Sequence, residues 1–146
     1  MRVAFEIIEH PADVGFLAYG ESLEELFQNA ALAMMSLAGE VEVIKEREHR
    51  NIEATAGDAE SLLFAWLAEI LAVADAEHLV FCRAEVTQLE PASAGAGECR
   101  VGGLAFGEAY DSSRHRSGTY IKAVTYHQLG IEKTGEGWRA RVFLDV

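Results

Sequence analysis

The segment SLEELFQNAALAMMSLAG, residues 22–39, carries the signals of a complete helix. Ser22 and Glu25 have the S-x-x-E spacing of a capping box, in which two side chains bind free backbone N–H groups at a helix start. Apolar residues then recur at steps of three and four until Gly39, a residue type common just beyond helix ends. The sequence therefore predicts a helix that begins at Leu23, buries one face and ends before Gly39.

A second helix is predicted between Asp58 and Asp75. Asp58 can cap its start, and few charged residues interrupt the segment that follows. The apolar stripe is wider than that of the first helix, which indicates deeper burial. Trp66 lies in this stripe, and a tryptophan at helical spacing is more often a core residue than a platform for a ligand.

The rest of the chain has the pattern of strands separated by turns. Short runs of β-branched and aromatic residues predict strands over residues 2–9, 14–19, 41–54, 79–90, 99–107, 119–127 and 137–145. Gly135-Glu136-Gly137 fits a hairpin turn between the last two strands. No repeat or linker divides the chain, so residues 1–146 are expected to form a single domain.

Two helices early and a series of strands late predict an α/β (α+β) two-layer sandwich. In this arrangement, the two main helices pack on one face of a mixed, mostly antiparallel sheet. A chain of 146 residues can bury about 68–70% of its unfolded surface, so one hydrophobic core suffices.

The charge balance restricts the partners that the protein can bind. The formal net charge is -12, from 24 acidic residues against 12 Lys and Arg. Such a surface repels phosphate backbones and favours cations or basic proteins. The short run Arg114-His115-Arg116 is too small to reverse this balance. We therefore expect no strong direct binding of nucleic acid.

The cysteines and the N-terminal sequence predict a cytoplasmic, soluble protein. Cys82 and Cys99 form neither a C-x-x-C pair nor a zinc-type cluster with histidine, so both are expected to be free or buried thiols. The first residues lack the apolar core of a signal peptide, and no stretch approaches 18 apolar residues. We expect no association with a membrane.

The common catalytic motifs are absent from the sequence. There is no G-x-S-x-G, no glycine-rich phosphate loop and no H-E-x-x-H. His10, His115 and His127 titrate in principle near neutral pH, but none accompanies a nucleophile and an orienting group. We therefore expect the protein not to be an enzyme.

Four segments together resemble the archease family: HPADVG (10–15), YGESLEELF (19–27), IKAVTYH (121–127) and FLDV (143–146). Residues 107–111 followed by His115 resemble the loop that precedes the Lys122 strand in that family. One departure is Pro11, where the family usually has a small hydroxyl residue. The resemblance implies a strand-helix-strand-strand module inside a larger α/β sandwich.

The resemblance also implies a function. Archeases stimulate guanylylation of the tRNA-splicing RNA ligase and help that enzyme to turn over repeatedly. This chain would then be an accessory protein that docks an acidic, metal-bearing edge at the nucleotide site of the ligase. Two alternatives remain: a chaperone-like modulator of a tRNA methyltransferase, and a small metal-dependent hydrolase.

Family analogy groups Asp13, Asp145 and Val146 around a divalent cation. The two carboxylates and a terminal carboxylate or carbonyl oxygen of Val146 are hard donors, which suit Ca²⁺ or Mg²⁺. From the residues alone, Asp13 can equally be a turn residue that binds backbone N–H groups, and Asp145 can be a solvated end of the chain.

Glu25 and Lys122 are implied as contacts to the ligase. The residues alone offer plainer explanations for both. The capping box and the helix dipole already account for an acid at Glu25, and Lys122 can lie on a solvated strand face.

Overall fold

The computed structural model describes residues 3–9, 13–91, 97–115 and 118–146. These residues form two α-helices, α1 (Leu23–Ala38) and α2 (Ala59–Glu77), and one 3₁₀ turn at Val41–Val43. They also form eight strands: β1 (Phe5–Glu9), β2 (Asp13–Gly20), β3 (Glu48–Ala56), β4 (Leu79–Glu90), β5 (Cys99–Ala109), β6 (Ala123–Val124), β7 (Gly130–Thr134) and β8 (Gly137–Asp145).

Helix α1 has the predicted start and end. The Ser22 hydroxyl accepts the Glu25 backbone N–H at 3.1 Å, and the Glu25 carboxylate accepts the Glu21 N–H at 2.9 Å. The Gly39 N–H donates to the Met35 carbonyl at 3.1 Å and closes the last turn. The capping signals thus determine both boundaries of this helix.

Helix α2 begins as predicted, because the Asp58 carboxylate accepts the Ser61 N–H at 2.8 Å. It continues two residues beyond the predicted end at Asp75, which lies exposed on its solvent side. His78 ends the helix in the left-handed conformation, with φ 55°. Trp66 is fully buried, as predicted, and its indole N–H donates to the Phe27 carbonyl of α1 at 3.1 Å.

The strands divide between two antiparallel sheets. The larger sheet has the order β1-β2-β8, and β6 and β7 both pair with the far edge of β8. The smaller sheet has the order β3-β5-β4. Each helix contacts both sheets, since α1 packs on β2 and β4 while α2 packs on β3 and β7. This confirms the α+β class with two helices on antiparallel sheet, and β3-α2-β4-β5 is the strand-helix-strand-strand module.

Two of the predicted strands are wrong in part. Residues 41–43 form a 3₁₀ turn, so the strand predicted over 41–54 begins only at Glu48. In the strand predicted over 119–127, only Ala123–Val124 pair with β8. The N–H groups of Gly118 and Thr119 donate instead to the carbonyls of Ala38 and Leu37, at the end of α1.

The hairpin before β8 is therefore formed by a different strand. Strand β7 pairs with β8 across the turn at Gly135 and Glu136, with Thr134 opposite Gly137. The turn was predicted correctly, but its first strand was not. Neither helix in the described ranges is long and apolar enough to cross a membrane.

Adjacent glycines in β5 allow a test of how closely β4 and α2 approach this strand. A Cβ atom at Gly103 would lie 2.0 Å from the Glu85 carbonyl oxygen and 3.0 Å from the Trp66 ring. At Gly102 the nearest atom would be Glu53 Cγ at 3.9 Å. We expect Gly103→Ala to lower the free energy of unfolding by about 2–3 kcal/mol, because backbone and core must both shift.

The matched control is Gly102→Ala, which should change stability by less than about 1 kcal/mol. Urea unfolding followed by circular dichroism measures both variants. Equal effects of the two substitutions would contradict the close approach of β4 and α2 to Gly103.

Candidate metal centre

The pairing of β2 with β8 brings two of the predicted metal ligands together. Asp13 is the first residue of β2, Asp145 is the last residue of β8, and the register sets them directly opposite each other. Residues paired in this way project their side chains from the same face of a sheet, with Cβ atoms about 4.5–5.5 Å apart. Val146 follows at the same edge, with its side chain half-buried against the core.

Two carboxylates in this position repel each other. Asp13 is half-buried and Asp145 is exposed. Like charges directly opposite each other on neighbouring strands are destabilising. A cation removes this conflict, and the donor set consists of hard oxygens, which suit Ca²⁺ or Mg²⁺. The residues at this edge therefore fit a divalent ion.

Side chains alone do not complete such a site in the described ranges. No group of three or more His, Cys, Asp or Glu side chains there is arranged to hold a metal ion. Further ligands would have to come from backbone oxygens, including those of Val146, from water or from a partner. The predicted turn at His10, Pro11 and Ala12, which immediately precedes Asp13, lies outside the described residues.

Lys122 lies next to this pair of carboxylates. Its backbone N–H donates to the Asp145 carbonyl at 2.8 Å, and its side chain is exposed. The neighbouring residue Ala123 is the register partner of Asp145 on the other edge of β8. Lys122 and the two aspartates thus lie at the same end of the strands of the larger sheet.

Glu25 lies elsewhere. It stands at the start of α1, which follows the opposite end of β2 from Asp13. Seven residue steps along a strand span about 23 Å. The Glu25 carboxylate also accepts the Glu21 N–H. A partner that contacts both Glu25 and Asp13 must therefore cover a whole side of the larger sheet.

Aromatic packing fixes the position of the carboxylate pair. Gly15 is opposite Phe143, and a Cβ atom at Gly15 would lie 2.7 Å from the Phe143 ring. The His127 ring meets the same phenyl ring edge-on, with 5.6 Å between centroids. Only a residue without a side chain fits beneath Phe143, so the register that aligns Asp13 with Asp145 is held two pairs away.

Glu108 is the centre of a network that sequence reasoning missed. Its carboxylate is 3% exposed. Arg114 donates to both carboxylate oxygens at 2.9 Å, and the Lys45 N–H donates at 2.8 Å. His115 Nε2 lies 2.9 Å away. These contacts, with that of Arg114 foremost, hold the pKa of Glu108 well below its ordinary value.

His115 has both ring nitrogens engaged. Nδ1 accepts the Asp111 N–H at 2.8 Å, and Nε2 faces Glu108. The neutral ring with its proton on Nε2 satisfies both contacts. Arg114 and His115 therefore tie the 111–115 loop to the body of the protein. The available signal was an acid at the end of an apolar strand, six and seven residues before these two basic side chains.

The molecule is thus an α+β protein in which two helices lie against two antiparallel sheets. A pair of carboxylates lies where the start of β2 meets the end of β8. The model of the archease protein family matches residues 5–146. The archease of Methanosarcina mazei is 42% identical over 142 residues, which cover 97% of this chain and 95% of that protein.

Solved structures agree with this match. Protein 1598 of Methanobacterium thermoautotrophicum superposes with a TM-score of 0.81 at 34% identity, covering 98% of this chain and 99% of that one. An archease of Thermotoga maritima, described as a possible chaperone, shares the fold with a TM-score of 0.57 at 24% identity, covering 100% and 98%. The chain belongs to the archease family.

The Glu108 network gives a pH-dependent prediction. A carboxyl group whose pKa is depressed in the folded state contributes stability above its ordinary value, here 4.5, and loses that contribution as the pH falls toward the folded value. We expect Glu108→Gln to unfold at a lower temperature than the parent at pH 7. The difference should shrink steadily as the pH falls below about 4.5.

Thermal unfolding between pH 7 and pH 3 measures this difference. Glu53→Gln, on an exposed position of β3, is the control and should follow the parent throughout. A Glu108→Gln variant with the parent's unfolding temperature at pH 7 would show that the network adds no stability.

Proposed function

We propose that this archease is an accessory protein of the tRNA-splicing RNA ligase. It would promote guanylylation of the ligase and its multiple turnover without catalysis of its own, and it would act in the cytoplasm. The observation that carries the proposal is the cross-strand pair of Asp13 and Asp145, at the positions where the family resemblance implies a metal site. Membership of the archease family supports the same function.

The proposed metal site consists of Asp13, Asp145 and a backbone oxygen of Val146. When bound, Ca²⁺ or Mg²⁺ would supply a positive charge suited to phosphate oxygens. The protein's own residues align the two carboxylates, and the bond from the Lys122 N–H to the Asp145 carbonyl holds the end of β8 in place. The Lys122 side chain, which is exposed beside them, is free to contact the partner.

Long-range electrostatics support a basic partner. A protein with net charge -12 is attracted to a surface that binds RNA and nucleotide, because such a surface must be positive. This attraction raises the association rate at low salt and decreases as salt is added. Glu25 lies beyond the far end of β2, and that strand spans about 23 Å from Asp13. Glu25 would therefore contribute to this electrostatic attraction rather than to the metal site.

Metal binding is tested by calorimetry with CaCl₂ and MgCl₂. We expect the parent to bind one of these ions, and Asp13→Asn and Asp145→Asn to weaken binding by about tenfold or more, since each removes one charged ligand. The same ion should also raise the unfolding temperature of the parent more than that of Asp13→Asn or Asp145→Asn. Asp75→Asn, on the solvent side of α2, is the control with the same chemical change.

If the two variants titrate as the parent does, the metal site is elsewhere.

Ligase activation is tested by measuring the formation of ligase-GMP over time with substoichiometric archease. We expect stimulation by the parent, and a loss of about tenfold or more with Asp13→Ala. Glu25→Ala and Lys122→Ala should give smaller losses, of a fewfold, that depend on salt. Glu24→Ala and Lys133→Ala are matched controls, since both residues are exposed and have the same charges.

Two results would contradict this assignment: no stimulation by the parent, or stimulation by all three variants equal to that of the parent. Glu25→Ala also removes a helix cap, so its unfolding temperature must be compared with that of Glu24→Ala before its effect is assigned to the ligase.

The alternative function is a chaperone-like modulator of a tRNA methyltransferase. The description of the Thermotoga relative as a possible chaperone favours it. The two functions differ in one assay, because a chaperone would suppress aggregation of the methyltransferase at stoichiometric amounts. Activation of the ligase needs only trace amounts. Suppression of aggregation that persists in Asp13→Ala, without an effect on the ligase, would favour the alternative.

A further inference from the structure

A cavity of about 430 Å³ lies between the C-terminal ends of α1 and α2, the start of β4 and residues 118–121. Its size is within the range of ligand-binding clefts in proteins. Its walls are mainly apolar, and they include Met34, Met35, Ile70, Leu71, Phe81 and Ile121. None of the proposed metal ligands lines it, and neither Glu25 nor Lys122 does.

The mouth of the cavity is electrically negative. Both helices end there, and the carbonyl end of a helix carries a partial negative charge, which at α1 is partly offset by the N–H groups of Gly118 and Thr119. Neither α1 nor α2 has a basic residue in its last turn to offset this charge. Asp75 adds a carboxylate, and none of the described lining residues is Lys or Arg. Arg116 lies outside the described residues.

Exposed tyrosines extend the apolar surface beyond the cavity. Tyr110 is 47% exposed and Tyr120 is 68% exposed, and both belong to the lining. Tyrosine is enriched where proteins meet, and its ring face attracts guanidinium and ammonium groups. An occupant that fills the cavity and also covers these rings must extend over the surface, as a peptide segment does and a small amine does not.

We propose that this cavity docks a segment of a partner protein in which an apolar side chain lies next to arginine or lysine. The apolar side chain enters the cavity, and the cationic side chain lies at the mouth between Asp75 and the two helix ends. Ile121 lines the cavity, and the backbone N–H of its neighbour Lys122 donates to the Asp145 carbonyl. One partner can therefore cover both the cavity and the carboxylate pair. This docking site does not depend on the proposed activation of the ligase, and its test uses no ligase.

The test is an NMR titration of the ¹⁵N-labelled full chain with three blocked tetrapeptides. The first is acetyl-Gly-Phe-Arg-Gly-amide, the second replaces arginine with glutamate, and the third replaces phenylalanine with serine. Phenethylammonium chloride is the small-amine arm. We expect the first peptide to shift the amides of His78, Tyr110 and Thr119, with binding at least about tenfold tighter than for the other three probes.

Variants locate the site and keep the proposal open to refutation. Ala74→Phe fills the cavity and should abolish binding, whereas Ala72→Phe, on the exposed side of the same helix, should not. Asp75→Asn should weaken binding about three- to tenfold and reduce its salt dependence. Asp13→Asn, which tests the metal site, should bind the peptide as the parent does. Parent-like unfolding temperatures establish that each variant is folded.

The proposal fails if the glutamate peptide binds as tightly as the arginine peptide, or if Asp75→Asn leaves the affinity unchanged. Equal binding of phenethylammonium and the peptide would assign the cavity to small amines instead. Absence of shifts at millimolar peptide would also overturn it. Because ligase activation is measured separately, loss of that activity with intact peptide binding would refute the proposed function alone.

Discussion

The pairing of β2 with β8 is the constraint on which the rest of the structure depends. It joins residues 13–20 to residues 138–145, across almost the whole length of the chain. The inward-facing residues of both strands, such as Phe16 and Val142, are fully buried against the helices. A shift of one residue in register would turn these side chains outward and would separate Asp13 from Asp145. The core and the candidate site are therefore determined by one set of backbone contacts.

Local signals predicted the helices well because their ends depend on nearby residues. The Ser22 and Asp58 caps bind N–H groups three residues away, so the information lies within one turn of sequence. The segment after Gly118 was harder, because its N–H groups bind carbonyls of α1 that are about 80 residues earlier in the chain. Its β-branched pattern was real, but the partner that overrode it is not visible in the local sequence.

The same distinction applies to the candidate sites. Asp13, Asp145 and Val146 came from family resemblance, and their proximity could not be derived from spacing, because it depends on the β2–β8 register. Glu108 was missed because its five contacts come from two segments outside its own strand, one with the Lys45 N–H and Arg47 and the other with Arg114 and His115. The division of the strands into two sheets was not predicted either, since alternation within a strand does not reveal which strands become neighbours.

The net charge of the protein accounts for attraction to a basic partner but not for specific recognition of that partner. A net charge of -12 attracts any basic surface whatever its shape, and salt screens that attraction beyond about 10 Å. Specific recognition requires positions where the charge is combined with shape. Among the described residues, two such positions are the carboxylate pair at the start of β2 and the end of β8 and the apolar cavity whose mouth lies between two helix ends. They are connected through consecutive residues, Ile121 and Lys122, so a partner bound at one position bears directly on the backbone that forms the other.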